Sequence, residues 1–144
     1  FQITFNEIDK KIHEICEIIR DEYYQNGLDL VIIDYLQLIE SYGQVENRNL
    51  EVAQYTRRLK SIAHEIKVPV LCLSQLNRAI ELRTDQTPKL SDLRDSGSIE
   101  QDADVVMFLS ESQYKTNLNI AKNRHGYTGQ LAFTFKQEIS RFEE

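Results

Sequence analysis

Apolar residues recur at the spacing of an amphipathic helix in two segments of the chain. Residues 6–23 carry one apolar stripe, at Ile8, Ile12, Ile15, Ile19 and Tyr23. Residues 48–67 carry a second, at Val52, Tyr55, Leu59, Ile62, Ala63 and Ile66. Thr4–Glu7 reads TFNE, which has the form of a capping box, and Gly27 is a typical stop signal. We therefore predict one helix that begins near TFNE and ends near Gly27, and a second over 48–67.

Three short apolar runs predict buried strands. The first is Leu30–Ile33, within a predicted strand over 29–34 that ends in an acid. The second is Val70–Leu73, which Pro69 precedes at a position that suits the start of a strand. The third, VVMFLS, covers 105–110. The segments NLNIAKN and QLAFTFK follow and flank the turn sequence RHGYTG, which predicts an antiparallel hairpin.

The order of these elements is helix, strand, helix, strand, broken helix, strand and hairpin. The broken helix is the polar stretch TPKLSDLRDSGSIEQDAD. Such alternation is typical of an α/β fold, with a mainly parallel sheet flanked by helices and an antiparallel hairpin at its C-terminal end. A chain of 144 residues without repeats or linkers is one domain, or part of one.

Composition limits the classes of function. No apolar run is long enough to span a membrane and no signal peptide opens the chain, so we expect an intracellular protein without a membrane contact. Cys16 and Cys72 lie among apolar neighbours without metal-ligand spacing, which predicts buried reduced thiols. The net charge is -6, and the whole acidic excess lies in residues 1–40, so any nucleic-acid site must be local.

Polar side chains follow two of the predicted parallel strands. Asp34 comes directly after the first, and Ser74 and Gln75 follow the second. Ligands of open α/β sheets bind at the carboxyl ends of strands, where a carboxylate can hold Mg²⁺ beside phosphates and a glutamine can sense a γ-phosphate. The pattern leaves open an aspartate that caps the next segment and a solvated glutamine.

A pair of basic residues precedes the hairpin turn. Lys122 and Arg124 stand two apart, so on a strand they project from the same face. Two cations at a strand end suit phosphate, but a solvated basic edge that discourages strand pairing explains the same spacing. His125 beside them is interpreted as a turn residue.

The segment LRDSGSIEQD has the composition of an anion-binding loop. Gly97 lets the backbone approach an anion closely, and Arg94 adds a charge nearby. Such a loop can hold the phosphates of a single strand without reading bases. A loop that caps a short helix at Ser98 is the alternative.

Four motifs together resemble the replicative DNA helicases of the DnaB type. They are VIIDYLQLI, SQLNR, LSDLRDSGSIEQDADVVMFL and AKNRHGYTG, in this order. The resemblance runs from about Gly27 to the C-terminus and implies a RecA-like P-loop NTPase core. Residues 1–144 would be the C-terminal part of a single helicase motor domain, which is therefore incomplete.

The resemblance also implies roles for individual residues. Asp34 corresponds to the Walker B aspartate that helps to hold Mg²⁺, and Gln75 to the glutamine that links the γ-phosphate to the DNA-binding loops. Lys122 and Arg124 correspond to the basic pair that reaches the ATP of the neighbouring subunit, with Arg124 as the arginine finger. The loop that holds single-stranded DNA corresponds to Arg94, Asp95 and Gly97, although Asp95 stands where the family usually has glutamate.

The implied assembly is a homohexamer that uses ATP and Mg²⁺ and moves 5′ to 3′ on single-stranded DNA at a replication fork. A primase and a helicase loader are candidate partners, and the cytoplasm, or a plastid for an organelle gene, is the expected location. A related RecA-like ATPase of recombination and a non-enzymatic single-strand-binding or interaction module are the alternatives.

A phosphate-binding loop is missing from the sequence. That loop needs G-x-x-x-x-G-K-[ST], and none of the five glycines precedes a lysine. The family's catalytic glutamate is missing as well. We therefore expect the chain to be a fragment that is inactive alone.

Overall fold

The computed structural model describes residues 3, 4, 6, 10–41, 48–93, 97–112 and 115–143. Within these ranges helices and strands alternate and then give way to strands, as the sequence predicts for an α/β fold. None of the helices there is long and apolar enough to cross a membrane. The elements are α1 (Ile12–Asn26), β1 (Val31–Ile33), α2 (Arg48–Ile66), β2 (Val70–Cys72), α3 (Gly97–Asp102), β3 (Val105–Ser112), β4 (Lys115–Asn123), β5 (Gly129–Lys136) and β6 (Arg141–Glu143).

Helix α1 begins later than the sequence predicts. Thr4 and Asn6 are not helical, and the helix starts at Ile12 with Lys11 as its N-cap, so the predicted start near TFNE is wrong. Phe5 and Glu7 of the predicted capping box lie outside the described residues. The Lys11 N–H donates to the Glu14 carboxylate at 2.9 Å, and Lys11 forms a parallel bridge with Glu40. This pairing keeps the backbone before Ile12 extended. The predicted stop is confirmed: Gly27 has φ 77° and its N–H donates to Tyr23 O.

The strands form two sheets. β1 and β2 pair in parallel, with Ile32 opposite Leu71 and Ile33 opposite Cys72. The second sheet is antiparallel with the strand order β3-β4-β5-β6. The antiparallel part is thus larger than the predicted hairpin, because β3 pairs with β4 rather than extending the parallel pair.

The main core lies between the helices and one face of β1 and β2. The stripe of α2 is confirmed: Val52 and Tyr55 are fully buried, and α1 packs beside them. The second core contains Leu93 and Phe108 and lies under β3. Ile99 of α3 packs against both cores, so α3 joins the two sheets.

The predicted burial of the parallel strands on both faces is wrong. Val31, Ile33 and Cys72 pack against the main core, whereas Ile32 is 59% exposed and Leu71 41% exposed. The helices of the described ranges cover one face of this pair. Side chains alternate between the faces of a strand, so every second apolar residue is left in solvent.

Both cysteines are free, as predicted. Cys16 is buried, whereas Cys72 is only partly buried, which corrects the prediction for that residue. Burial raises the pKa of both thiols, and that of Cys72 to about 12. Neither thiol has the lowered pKa of a nucleophilic cysteine.

The core of α2 yields a prediction about stability. Leu59→Ala should destabilise the chain by about 2–5 kcal/mol, because Leu59 is 5% exposed and its truncation leaves a cavity. Leu82→Ala is the matched control, since Leu82 is 90% exposed. Urea unfolding followed by circular dichroism measures both. Equal midpoints for the two variants would contradict the assignment of the core.

Candidate functional site

The carboxyl ends of β1 and β2 meet at one edge of the parallel pair. Asp34 follows Ile33, and Gln75 comes three residues after Cys72, the partner of Ile33 in the register. The Leu73 N–H donates to Ile33 O at 2.9 Å, which extends the pairing to this edge. Asp34 and Gln75 therefore lie at the same edge, and both are exposed.

Asp34 does not cap the segment that follows it. The short 3₁₀ helix Leu36–Leu38 has Tyr35 as its N-cap, without a side-chain cap hydrogen bond. The alternative of a capping aspartate is thus wrong. The backbone beyond it returns to the pair, where the Leu36 N–H donates to Leu73 O at 2.9 Å. The carboxylate stands at a turn that main-chain hydrogen bonds hold on both sides.

Gln37 connects the two strand ends through its side chain. Its Nε2 donates to Ser74 Oγ at 3.0 Å, and its Oε1 accepts from the Gln75 N–H at 3.2 Å. Its carbonyl oxygen accepts from Arg48 Nη2 at 2.8 Å, at the start of α2. The amide thus fixes the backbone of Gln75 relative to the segment that carries Asp34. In the sequence Gln37 is one polar residue of the motif VIIDYLQLI, and the pattern does not single it out.

Arg48 is held in turn by a buried acid. Its Nη1 lies 2.7 Å from Glu51 Oε2, and Ser41 Oγ donates to Glu51 Oε1 at 2.6 Å. Glu51 is only 6% exposed, so this pairing satisfies a buried carboxylate. Ser41 and Arg48 flank 42–47, which lies outside the described residues.

Lys122 and Arg124 project from the same face of β4 and its end, towards α3. Lys122 Nζ donates to the carbonyl oxygens of Glu100 and Ala103, the latter at 2.8 Å. Arg124 Nη2 donates to Gln101 O at 3.1 Å. The alternative of a solvated basic edge is wrong, because β4 lies between β3 and β5 and both side chains bind carbonyl oxygens of one helix end.

The turn after β4 is organised by Asn123. Its Oδ1 accepts from the His125 N–H at 3.3 Å, and its Nδ2 donates to Tyr127 O at 3.2 Å. A Cβ at Gly126 would come within 2.6 Å of Asn123 Nδ2, so a larger residue there would displace the Asn123 side chain. His125 is confirmed as a turn residue. Arg124 is therefore held at the rim of a compact turn.

Asp104 binds two cationic side chains, one from α2 and one from the turn after β4. Lys60 Nζ of α2 donates to Asp104 Oδ2, and Arg124 Nη1 lies 3.3 Å from Oδ1. The hydrogen bond from Lys60 is the largest influence that holds the pKa of Asp104 below its ordinary value, and the charges of Lys60, Arg124 and His125 act in the same direction. The sequence holds no signal for this contact, because Lys60 and Asp104 are distant in the chain.

Arg94 and Asp95, predicted to bind DNA, lie outside the described residues. Gly97 is the first residue of α3 and is exposed. Ser98 lies within α3, so the alternative of a cap at Ser98 is wrong. The N-terminal end of α3 thus follows the predicted DNA loop in the sequence, whereas its C-terminal end binds Lys122 and Arg124.

Sequence similarity over almost the whole chain identifies the family. The sequence profile described as "DnaB-like helicase C terminal domain" matches residues 2–144. The chain belongs to this family. The resemblance carried by the four motifs is confirmed.

Curated relatives agree with this assignment. The replicative DNA helicase DnaB of Pasteurella multocida (strain Pm70) is 46% identical over 134 residues, which cover 86% of the chain and 29% of that protein. The replicative DNA helicase DnaC of Bacillus subtilis (strain 168) is 44% identical over 142 residues, covering 92% of the chain and 31% of that protein. The chain thus spans less than a third of the length of these relatives.

Solved structures confirm the fold. A DnaB-like replicative helicase, described with its interactions with primase, superimposes with a TM-score of 0.86 at 38% identity, over 96% of this chain and 36% of that one. A second solved structure, described as an ATPase domain, gives a TM-score of 0.87 at 38% identity, over 96% of this chain and 52% of that one.

The link through Gln37 leads to a prediction. Gln37→Leu should increase hydrogen–deuterium exchange at the Gln75 amide, because the substitution removes the acceptor of that N–H while keeping a side chain of similar size. Exchange measured by mass spectrometry on peptides over 73–77 tests it. Gln54→Leu, at an exposed position of α2, is the control. Unchanged exchange in the Gln37 variant would contradict the role of this side chain.

Proposed function

We propose that the chain is the C-terminal part of the motor domain of an ATP-dependent replicative DNA helicase. The whole protein would form a homohexameric ring, translocate 5′ to 3′ on single-stranded DNA and unwind duplex at the fork. The observation that carries the proposal is the shared edge of Asp34 and Gln75, joined by Gln37, in a chain of this family.

Asp34 is proposed to hold Mg²⁺ beside the phosphates of ATP. One exposed carboxylate at a strand end fits this ion, because Mg²⁺ in nucleotide sites is usually bound through one or two carboxylates, the substrate's phosphates and water. The ion, when bound, neutralises charge that develops on the phosphates. The protein's own contribution is position: main-chain hydrogen bonds of Ile33 and Leu36 to Leu73 fix the turn on which Asp34 stands.

Gln75 is proposed to respond to the γ-phosphate. Its backbone N–H is bound by Gln37, whose carbonyl oxygen binds Arg48 at the start of α2. A movement of Gln75 would therefore displace Gln37, which contacts both strand ends and, through Arg48, the start of α2. This contact route supports a role in passing the nucleotide state to the loops that bind DNA.

Lys122 and Arg124 are proposed to act on the nucleotide of the neighbouring subunit. Within the described residues, neither of them shares a hydrogen bond or ion pair with Asp34 or Gln75. A guanidinium can donate two parallel hydrogen bonds to a phosphate, which makes arginine suited to the transition state of phosphoryl transfer. Lys122 adds a second positive charge on the same face.

The loop at Arg94, Asp95 and Gly97 is proposed to hold the backbone of single-stranded DNA. Contacts of this kind position the strand without reading its sequence, which suits a motor that must pass any sequence. We also propose a primase as a partner, since the related helicase was described with one, and a helicase loader as a second.

Mixed rings test the shared site. In the whole protein, Arg124→Ala should abolish ATP hydrolysis but leave nucleotide binding largely intact, and Asp34→Asn should also abolish hydrolysis. Rings assembled from both variants should recover activity, because some interfaces then combine an intact Asp34 with an intact Arg124. ATPase assays on confirmed mixed rings, with each pure variant ring as control, measure this. Loss of binding in Arg124→Ala, or no recovery on mixing, would contradict action across the interface.

The chain of 144 residues alone should not hydrolyse ATP. It lacks the G-x-x-x-x-G-K-[ST] loop that cradles the phosphates. A steady-state ATPase assay compares the chain with the whole protein at equal concentration. Hydrolysis by the pure chain that disappears in its Asp34→Asn variant would overturn this prediction.

A further inference from the structure

The C-terminal end of α3 binds both proposed trans-acting residues through main-chain oxygens. Lys122 Nζ binds Glu100 O and Ala103 O, and Arg124 Nη2 binds Gln101 O. Carbonyl oxygens at a helix C-terminus have no partner within the helix and carry partial negative charge, so cations are favoured there. The end of α3 is thus an anchor for this pair.

Asp104 adds a second anchor for Arg124. Its main-chain oxygen accepts from the Arg124 N–H at 2.8 Å, and its carboxylate binds the guanidinium at 3.3 Å. Asp104 therefore holds the backbone and the side chain of one residue together. Lys60 of α2 binds the other carboxylate oxygen, so Asp104 is itself tied to the packed helices.

These contacts orient the guanidinium without enclosing it. The Arg124 side chain is 45% exposed and that of Asp104 is 46% exposed. A guanidinium has five N–H donors, and two of its nitrogens are engaged here, so donors remain for a phosphate. A half-exposed ion pair contributes little to stability. The contacts of Asp104 are therefore better explained by orientation of the Arg124 guanidinium than by stabilisation of the fold.

We propose that Asp104, held by Lys60, is a positioning residue that sets the orientation of the Arg124 guanidinium for phosphoryl transfer at the neighbouring nucleotide. The inference rests on the proposed function, in which Arg124 acts across the subunit interface. Phosphoryl transfer depends mainly on positioned charge, so a small displacement of the arginine is costly.

Asp104→Ala in the whole hexameric protein tests the proposal. We expect kcat for ATP to fall about 10- to 100-fold with KM for ATP nearly unchanged, because the arginine acts in the transition state rather than in ground-state binding. Asp104→Asn should show a smaller fall, since its amide oxygen can still accept a hydrogen bond from Arg124.

Asp102→Ala is the matched control. Asp102 is two residues away and also ties α3 to α2, because its carboxylate accepts from Thr56 Oγ1 at 2.5 Å. In the described part of the chain it shares no hydrogen bond or ion pair with Arg124, so its removal should leave kcat close to that of the unmodified protein. Ring assembly by light scattering and the melting temperature confirm that each variant folds.

A transition-state analogue separates positioning from a structural effect. Asp104→Ala should weaken binding of ADP with aluminium fluoride at least about tenfold while leaving ADP affinity unchanged, and should add no further loss when Arg124 is already alanine. If Arg124→Ala rings hydrolyse ATP normally, the proposed function itself fails. If Arg124→Ala is inactive but the kcat of Asp104→Ala equals that of Asp102→Ala, the positioning role is overturned. It is also overturned if Asp104→Ala weakens the binding of ADP as much as that of the analogue. The same conclusion follows if Asp104→Ala fails to fold and Asp104→Asn is fully active.

Discussion

The parallel pairing of β1 with β2 is the constraint on which the candidate site depends. It brings Asp34 and Gln75, which are distant in the chain, to one edge of the sheet. A slip of one residue in this register would turn the core-facing residues of one strand, such as Ile33 of β1, away from the core and shift the strand ends relative to each other. The apolar residues that pack against α1 and α2 therefore fix the register, and the register fixes the polar edge.

Gln37 makes this edge more rigid than strand pairing alone could. The strands have three paired residues each, and a strand pair of that length is weak by itself. The hydrogen bonds of Gln37 to Ser74 and Gln75 continue the connection past the last pair. A partly buried amide is suited to this because it can donate to one chain segment and accept from the other at once.

The sequence predicts the order of helices and strands and the polar residues at the strand ends, because both follow from local patterns. The stripe of α2 and the stop at Gly27 are of this kind. The start of α1 does not follow from a local pattern, since pairing of Lys11 with Glu40 decides where the helix begins. The exposure of Ile32 does not follow from a local pattern either. An apolar run predicts burial, but which face of the strand is covered depends on the elements that pack against it.

The contacts of the candidate site were beyond prediction for the same reason. Lys122 and Arg124 are visible as a pair at a spacing of two, but their partners are main-chain oxygens of α3, which carry no sequence signal. Asp104 is one acid in the acidic stretch IEQDAD. Only the fold brings it against Lys60 and Arg124.

The choice of partners matters for the charge of the basic pair. Lys122 binds two carbonyl oxygens, which orient an ammonium group without cancelling its formal charge. Arg124 binds one carbonyl oxygen and a carboxylate that Lys60 shares, so its charge is only partly compensated. Full pairing with carboxylates would neutralise the two side chains and reduce their attraction for phosphate. The end of α3 therefore holds two cations in place while leaving them able to bind an anion, which is what the proposed role at a phosphate requires of them.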